Sequence, residues 1–561
     1  MAEDVITHLV GDFGPWQRRV LFLSWLVGFS VAFHNLAVSF FMPNIDHWCS
    51  RPPFLSNISY DLWKNLTIPI EEIRGQVRYS QCQMYELGDE DNYLLNYLNM
   101  TELPATVINR SVSCASWDYD RSLYKGTIVE KWNLVCEREA LRSLMQTSYM
   151  VGFLVGSIVF GTISDRFGRR TTALLSILIS IIAGISAALS PYYWLFLLMR
   201  FIVALGVAGL ANSGFVLVIE VCGPTKRSTV AVIKELGFAV GLMVLAGLAY
   251  LWRDWFPLQL TISIFPLITF VLYYWFLPES PRWLLTRNRI ADAEKILHKA
   301  ALLNNTSAPN VSSDRREILN NHKRAGPANL IVHTVVDLLR TPNLRKISLN
   351  MFFCWFINAF VYYGLSLGVV DLDGNPYLNV FISGLMEIPA YVLTIFVLHQ
   401  WGRQYPLCFF MVIGGISCSI MPAVPQDMDV VKVVLAMFGK FCITSSFEIV
   451  YIYGAELYPT TIRNMGIGCS CMCARVGSAV APLVRYLGVV LDPNVPPAVY
   501  GSLAVTSGLL VLLLPETKNR SLPETLEDGE NFGRKERSSS ENPQKKIKAP
   551  TQRNKDTSVE D

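Results

Sequence analysis

The chain has 561 residues, of which 52% are hydrophobic and 17% charged, and its formal net charge is +3. Soluble proteins average about 25% charged residues, so this composition excludes a soluble multidomain enzyme as well as a disordered or fibrous chain. The small net charge gives no reason to expect nucleic acid as a partner. Together with a mean hydropathy of +0.33, the composition predicts a polytopic protein surrounded by membrane lipid.

Apolar stretches of about 20 residues, the length of a membrane span, recur in two sets of six along the chain. The first set lies near 20–42, 144–163, 172–190, 193–221, 230–251 and 256–277. The second set lies near 346–369, 378–400, 406–423, 430–454, 464–490 and 498–514. We therefore expect an all-α fold with 12 transmembrane helices. Lys and Arg concentrate in the short loops of one side, which places both termini in the cytoplasm.

The spans divide the chain into five parts. These are a cytoplasmic N-terminus (1–19), a first six-helix half (20–277) that includes an extracellular loop (43–143), a cytoplasmic amphipathic linker (278–345), a second six-helix half (346–514) and a mostly disordered cytoplasmic tail (515–561).

The long outward loop has the composition of an oxidised, glycosylated segment. An even number of cysteines in such a compartment favours two disulfides, and four cysteines allow three pairings. Four Asn-x-Ser/Thr sequons in the same loop predict a glycoprotein. The cysteines are Cys49, Cys82, Cys114 and Cys136, and the sequon asparagines are Asn57, Asn65, Asn99 and Asn109.

The two halves of the chain repeat one another at a nearly fixed offset. PESPRW at Pro278 and PETKNR at Pro515 follow the sixth and twelfth spans, 237 residues apart. Other pairs, at offsets between 234 and 240, are Gly168 with Gly402, Glu220 with Glu456, Arg227 with Arg463, and Arg200 with Lys440. Two parallel six-helix repeats are the plan of the major facilitator fold.

Several motifs resemble one transporter family within that fold. They are GDFGPWQRR at 11–19, GTISDRFGRRT at 161–171, PESPRWL at 278–284 and AELYPTTIRN at 455–464. With the Cys-bearing loop they are similar to the organic cation, carnitine and organic anion transporter family, solute carrier family 22. The run PETLEDGENFG at 523–533 resembles its insect organic cation transporter-like members.

The resemblance implies a gate at the charged loop motifs. In the family such charges hold the cytoplasmic side shut while the binding site faces outward. The alternative is that they only anchor the chain as positive-inside charges. We expect Gly161 and Gly168 to allow close helix approach, and Asp165 to accept hydrogen bonds from an opposing helix N-terminus. The predicted gating residues are Asp165, Arg166, Arg169, Arg170, Glu220, Glu279, Glu456 and Arg463.

Ionisable residues inside spans are costly and so indicate a binding site. Glu387, Glu448 and Arg475 lie in the second half, where the family binds substrate. Trp355 and Tyr362 share a helix face there and offer aromatic surfaces to an ammonium. Core packing is the alternative for these rings, and the nearby carboxylates favour the binding role. These five residues are the predicted substrate-binding set.

Three further residues in the spans have other expected roles. Pro389 is expected to interrupt its helix, and Arg200 and Lys440 are expected to be structural residues beside the gate.

This inventory predicts a secondary transporter of small organic cations or zwitterions, such as carnitine-like amine-bearing solutes. In the family, anion and carnitine-type members both have arginine at the position of Arg475. Anion members also tend to carry a lysine at the position where this chain has Tyr391. We expect alternating access in the plasma membrane. Uphill transport would use the membrane potential or an ion gradient, with sodium or a proton as the coupled ion. No cofactor, metal or catalytic residue is expected. The alternatives are an organic anion transporter, a non-transporting sensor and a sugar facilitator.

Overall fold

The computed structural model describes residues 10–51, 59–73, 76–86, 111–223, 226–306, 335–372, 374–425, 428–520 and 522–533. Twelve apolar helices dominate this part of the chain. They are α1 (Pro15–Leu36, continued by Val38–Phe41), α2 (Ala140–Phe167), α3 (Arg169–Ala188), α4 (Tyr193–Val221), α5 (Arg227–Trp252), α6 (Trp255–Phe276), α7 (Pro342–Gly368), α8 (Pro376–Trp401), α9 (Gln404–Ile420), α10 (Asp429–Leu457), α11 (Arg463–Val490) and α12 (Val495–Val511). Eleven are long and apolar enough to cross a membrane, and α12 is shorter, with 17 residues. The prediction of a multi-pass helical membrane protein is confirmed.

Two prolines act differently on their helices. The sixth span is interrupted at Phe265, where Trp255–Ile264 ends and Pro266–Phe276 begins. By contrast, α8 is continuous through Pro389, so the expected interruption there is wrong. A proline removes one backbone hydrogen bond, and packing against neighbouring helices holds such a helix together.

The halves meet along two helix pairs that are related by the repeat. The helix α2 packs against α11, and α5 packs against α8. Since α8 is the second helix of its half and α11 the fifth, the two contacts exchange equivalent helices. This is the arrangement expected of two parallel six-helix repeats.

Two faces of the bundle are named by what lies on them. The loop face carries residues 43–51, 59–73, 76–86 and 111–139, and the motif face carries the charged loop motifs together with residues 10 and 533. Near the loop face the halves are bonded to each other. The Asn35 amide donates to the Tyr363 hydroxyl at 3.1 Å, and the Thr147 hydroxyl donates to the Ala479 carbonyl at 3.0 Å. Tyr377 stacks on Phe40 with ring centroids 5.6 Å apart.

The segment on the loop face contains the β-strands of the described residues. They form three antiparallel pairs, His47–Cys49 with Trp117–Tyr119, Ile70–Ile73 with Gln76–Tyr79, and Gln83–Tyr85 with Ser111–Ser113. Of the three possible disulfide pairings, the structure has Cys49–Cys114 and Cys82–Cys136.

One of the four predicted glycosylation asparagines can be located. Asn65 lies exposed on the helix Tyr60–Thr67. Asn57, Asn99 and Asn109 lie outside the described residues, so glycosylation stays a prediction.

The linker and the tail both pack under the bundle on the motif face. The amphipathic helix Ile290–Leu303 buries Leu297 and Ala300, and the Asn304 amide donates to the Val10 carbonyl at 2.8 Å. In the tail, Leu526–Asn531 is a short helix. The Glu530 carboxylate accepts the Asn343 backbone N–H at 2.9 Å and so caps the first turn of α7.

Candidate functional site and gate

A carboxylate–arginine cluster closes the turn between α2 and α3. Gly168 has a φ of +104°, which favours glycine, and α3 begins immediately after it. The Glu279 carboxylate accepts the backbone N–H groups of Arg169 at 2.8 Å and of Arg170 at 3.2 Å. The Arg169 guanidinium donates to both oxygens of Glu220, at 3.2 and 3.0 Å. The cluster therefore ties α3, α4 and the chain after α6 together.

The second half builds the same cluster from repeat-related residues. Gly402 has a φ of +86°, and Glu516 accepts the backbone N–H groups of Arg403 and Gln404, each at 3.0 Å. The Arg403 guanidinium donates to Glu456 at 2.8 Å. Burial opposes ionisation of Glu516, but the backbone N–H donors around it outweigh burial and hold its pKa below the ordinary value.

Sequence reasoning missed two members of this second cluster, Arg403 and Glu516. The signal was present, because Arg403 repeats Arg169 and Glu516 repeats Glu279. The loop WGRQYP differs from the first-half motif FGRR at 167–170, yet the arginine and both carboxylates still assemble.

Some predicted gate residues have other contacts. The Asp165 carboxylate, with 76% of its side chain exposed, lies 3.0 Å from Arg169, and it is Glu279 that receives the helix N-terminus. The Arg166 guanidinium lies over the Phe167 ring at 5.4 Å. The Arg170 and Arg463 guanidinium groups donate to the carbonyls of Tyr274 and Tyr458. A Cβ at Gly161 would meet nothing within 4 Å, so no helix among the described residues approaches it closely.

The two charged clusters lie within the halves. Arg169, Glu220 and Glu279 belong to the first half, and Arg403, Glu456 and Glu516 belong to the second. In this structure the clusters therefore brace the helices of one half against each other. The contacts described for them do not bridge the halves.

Inside the second half, Glu387 is already paired. Lys440 on α10 lies 3.0 Å from the Glu387 carboxylate, and both side chains are 0% exposed. The Tyr362 and Tyr391 hydroxyls donate to the same carboxylate at 2.6 and 3.3 Å. The Lys440 ammonium also lies 3.9 Å from the centroid of the Tyr362 ring and donates to Ser366. The carboxylate and the aromatic face proposed for a substrate are thus occupied by a lysine.

Glu448 and Arg475 are not paired in this way. Within the described residues neither side chain has an ion-pair partner. Glu448 is 8% exposed, and its charged neighbours include Lys234 and Glu235 of α5, which pair with each other at 2.9 Å. Arg475 is half-buried and lies over the Phe153 ring at 4.2 Å.

The two predicted aromatic surfaces differ. Trp355 is 0% exposed and packs edge-on against Tyr451, with centroids 4.2 Å apart. Its ring therefore belongs to the core and does not line an open surface. The half-buried Tyr451 lies one helical turn after Glu448 and next to Arg475, which makes it the better-placed ring.

The repeat-related cations Arg200 and Lys440 do not lie beside the gate. Glu220 follows Arg200 by 20 residues along α4, which is about 30 Å of helix. Glu456 follows Lys440 by 16 residues along α10, about 24 Å. Both cations are fully buried, nearer the loop face than the motif face.

Two parallel six-helix repeats with one charged cluster each define a major facilitator transporter. A family model for "Sugar (and other) transporter" matches residues 98–528. The solved structure of the xylose transporter XylE from E. coli, in a partially occluded inward-open conformation, aligns with a TM-score of 0.59 and 16% identity. The alignment covers 90% of this chain and all of XylE.

Curated relatives identify a more specific family within these transporters. The organic cation transporter protein of Drosophila melanogaster is 41% identical over 539 residues, covering 95% of each chain. The human organic cation/carnitine transporter 2 is 33% identical, covering 93% of each chain, and mouse solute carrier family 22 member 21 is 34% identical. The chain belongs to the organic cation, carnitine and organic anion transporter family, solute carrier family 22. It is a secondary transporter, as these relatives are, and not an enzyme.

Proposed function

We propose that the protein moves small organic cations or zwitterions across the plasma membrane, with both termini in the cytoplasm. The substrate is an amine-bearing, carnitine-like solute. The observation that carries this proposal is the charge balance of the interior. Where α5 faces the second half, Glu387 is neutralised by Lys440 and Glu235 by Lys234, so Glu448 and Arg475 are left there as one negative and one positive group.

A zwitterion matches these two groups. Its ammonium is attracted to Glu448, and its carboxylate is attracted to Arg475 by charge-assisted hydrogen bonds. Tyr451, between them in sequence and half-buried, supplies an aromatic face for a substituted ammonium. A simple cation uses Glu448 and Tyr451 alone, and it must tolerate the nearby guanidinium.

The movement we propose is alternating access. Each charged cluster ties the motif-face ends of its own half, so each half can rotate as a unit. The hydrogen bonds Asn35–Tyr363 and Thr147–Ala479 hold the halves together near the loop face. In this proposal they break when the binding site opens to that face. A coupled ion, sodium or a proton, supplies the driving force for uphill transport.

The test is uptake of a labelled panel: tetraethylammonium, carnitine, β-alanine and an aromatic carboxylate, with and without sodium. Arg475→Ala should weaken carnitine uptake while sparing or improving tetraethylammonium uptake. Loss of a charged hydrogen-bonding partner costs about 1.5–3 kcal/mol, or roughly 10- to 150-fold in affinity. Glu448→Gln should weaken uptake of both solutes, because both present an ammonium.

Three outcomes contradict the proposal. Equal loss of carnitine and tetraethylammonium uptake in Arg475→Ala would make the arginine structural. Strong wild-type uptake of the aromatic carboxylate, improved by Glu448→Gln, would favour an anion transporter. A surface-delivered protein that carries none of the panel would favour a sensor.

A further inference from the structure

A buried cation without a counter-ion lies in the first half. Arg200 is 0% exposed, and its guanidinium Nε and Nη1 have no hydrogen-bond partner in the described part of the chain. No carboxylate among those residues forms an ion pair with it. Arginine stays protonated in proteins, and burial of an uncompensated charge is strongly unfavourable.

The groups around Arg200 are uncharged, and apart from the Phe41 ring, 5.8 Å from the guanidinium, they are polar. The guanidinium Nη2 donates to the His34 carbonyl at 2.9 Å, and the guanidinium lies 4.6 Å from the Tyr149 ring centroid. The Tyr149 hydroxyl is committed to the Asn35 side chain at 2.8 Å. Both ring nitrogens of His34 also lack a partner. Unsatisfied N–H donors and one positive charge therefore meet in the buried interior.

The repeat shows what is missing. Lys440, the counterpart of Arg200, is neutralised by Glu387 on α8. The counterpart of α8 is α2, whose only carboxylate between Ala140 and Phe167 is Asp165 at the motif end. Among its described residues, the first half therefore has the buried cation but no carboxylate paired with it.

We propose that Arg200 and His34 bind a small monovalent anion, chloride under physiological conditions. The charge of the guanidinium calls for one negative charge. Arg200 and His34 are 0% exposed and Asn35 is 2% exposed, which favours a monatomic ion over an organic carboxylate. Asn35 also bonds to Tyr363 of the second half, so the anion stabilises the arrangement that is closed at the loop face. The site does not depend on which solute the carrier moves.

The experiment measures the thermal unfolding midpoint of the purified full-length protein in detergent, as chloride replaces gluconate at constant ionic strength. We expect a saturable rise, on the order of 2 °C when chloride reaches ten times its Kd. Sulfate, which is larger and divalent, should give no rise. An unfolding midpoint that does not respond to chloride would overturn the proposal.

Three variants locate the response. Arg200→Gln should abolish it. Asn35→Asp places a tethered carboxylate in the same cluster, so it should raise the midpoint in gluconate and remove the chloride response. The matched control Arg485→Gln, which removes a guanidinium paired with Asp371 in the second half, should keep the response. A response that survives in Asn35→Asp, or is lost only in Arg485→Gln, rejects this site. Asn35→Asp decides the matter if Arg200→Gln does not fold.

Discussion

The two halves agree at the motif face and differ in the membrane interior. At the motif face, Arg169 with Glu220 and Arg403 with Glu456 form the same contact, and Glu279 and Glu516 cap equivalent helices. In the interior, Lys440 has a carboxylate partner within its own half, whereas Arg200 has none among the described residues.

This difference suggests that the motif face and the interior have different roles. In the proposed alternating access, a cluster that holds the helices of one half together is useful in both halves, so the repeat retains it. In the same proposal the interior charges select the solute, and one asymmetric solute needs two unlike surfaces. We infer that the motif face serves movement and the interior serves selection.

The largest effect should come from breaking the interior pair. Glu387→Gln leaves the Lys440 ammonium buried without an anion, which costs about 3–5 kcal/mol. We expect a large drop in the thermal unfolding midpoint and in surface delivery. Lys440→Met combined with Glu387→Gln removes both charges and should restore most of the stability. If the double variant is as unstable as the single one, the ion pair is not what the loss of Glu387 disrupts.

The next largest effect is expected from alanine substitutions at the glycines of the two turns, Gly168 and Gly402. A Cβ at Gly168 would lie 2.4 Å from the Glu279 carboxylate, and a Cβ at Gly402 would lie 2.7 Å from the Glu516 carboxylate. Because both residues also have positive φ, Gly168→Ala and Gly402→Ala should each cost about 1–3 kcal/mol. Unfolding midpoints measure this. The matched control is Gly161→Ala in α2, which has free space around it and should not destabilise the protein. A loss in only one of the two turns would show that the clusters are not equivalent.

The smallest effect on stability should come from Asp165→Asn. The Asp165 side chain is 76% exposed, and exposed ion pairs contribute about 0–1 kcal/mol. The second half has His399 at the equivalent position, four residues before Arg403, so the repeat does not need an acid there. We expect a lower maximal transport rate with little change in substrate affinity, measured as Vmax and KM of uptake. A large rise in KM at unchanged Vmax would place Asp165 in substrate binding and contradict the gating prediction.

Much of the fold could be predicted because hydropathy and motif spacing are local properties. The twelve spans follow from apolar length, and the repeat follows from pairs such as Pro278 and Pro515. The same offset would have identified Glu516 from Glu279. It would not have identified the disulfide pairing, since four cysteines in one loop carry no information on distance.

The interior could be predicted only in part. Glu387 and Lys440 were both recognised as buried ionisable residues, but 53 residues separate them, and nothing in the sequence brings their helices together. Trp355 and Tyr362 share a helix face as predicted, yet the packing of α10 covers the first and places a lysine over the second. Residue type identified the charged groups, and tertiary packing decided which of them remain unpaired.

The tail has a consequence for biosynthesis. The cluster of the first half is complete once Glu279 has been synthesised, before any residue of α7 exists. The cluster of the second half waits for Glu516, and the cap on α7 waits for Glu530. Domains form in order as the chain emerges from the ribosome, so the charged cluster of the first half can form early. The cluster of the second half cannot form until Glu516 has been translated, and termination just after α12 would prevent it from forming.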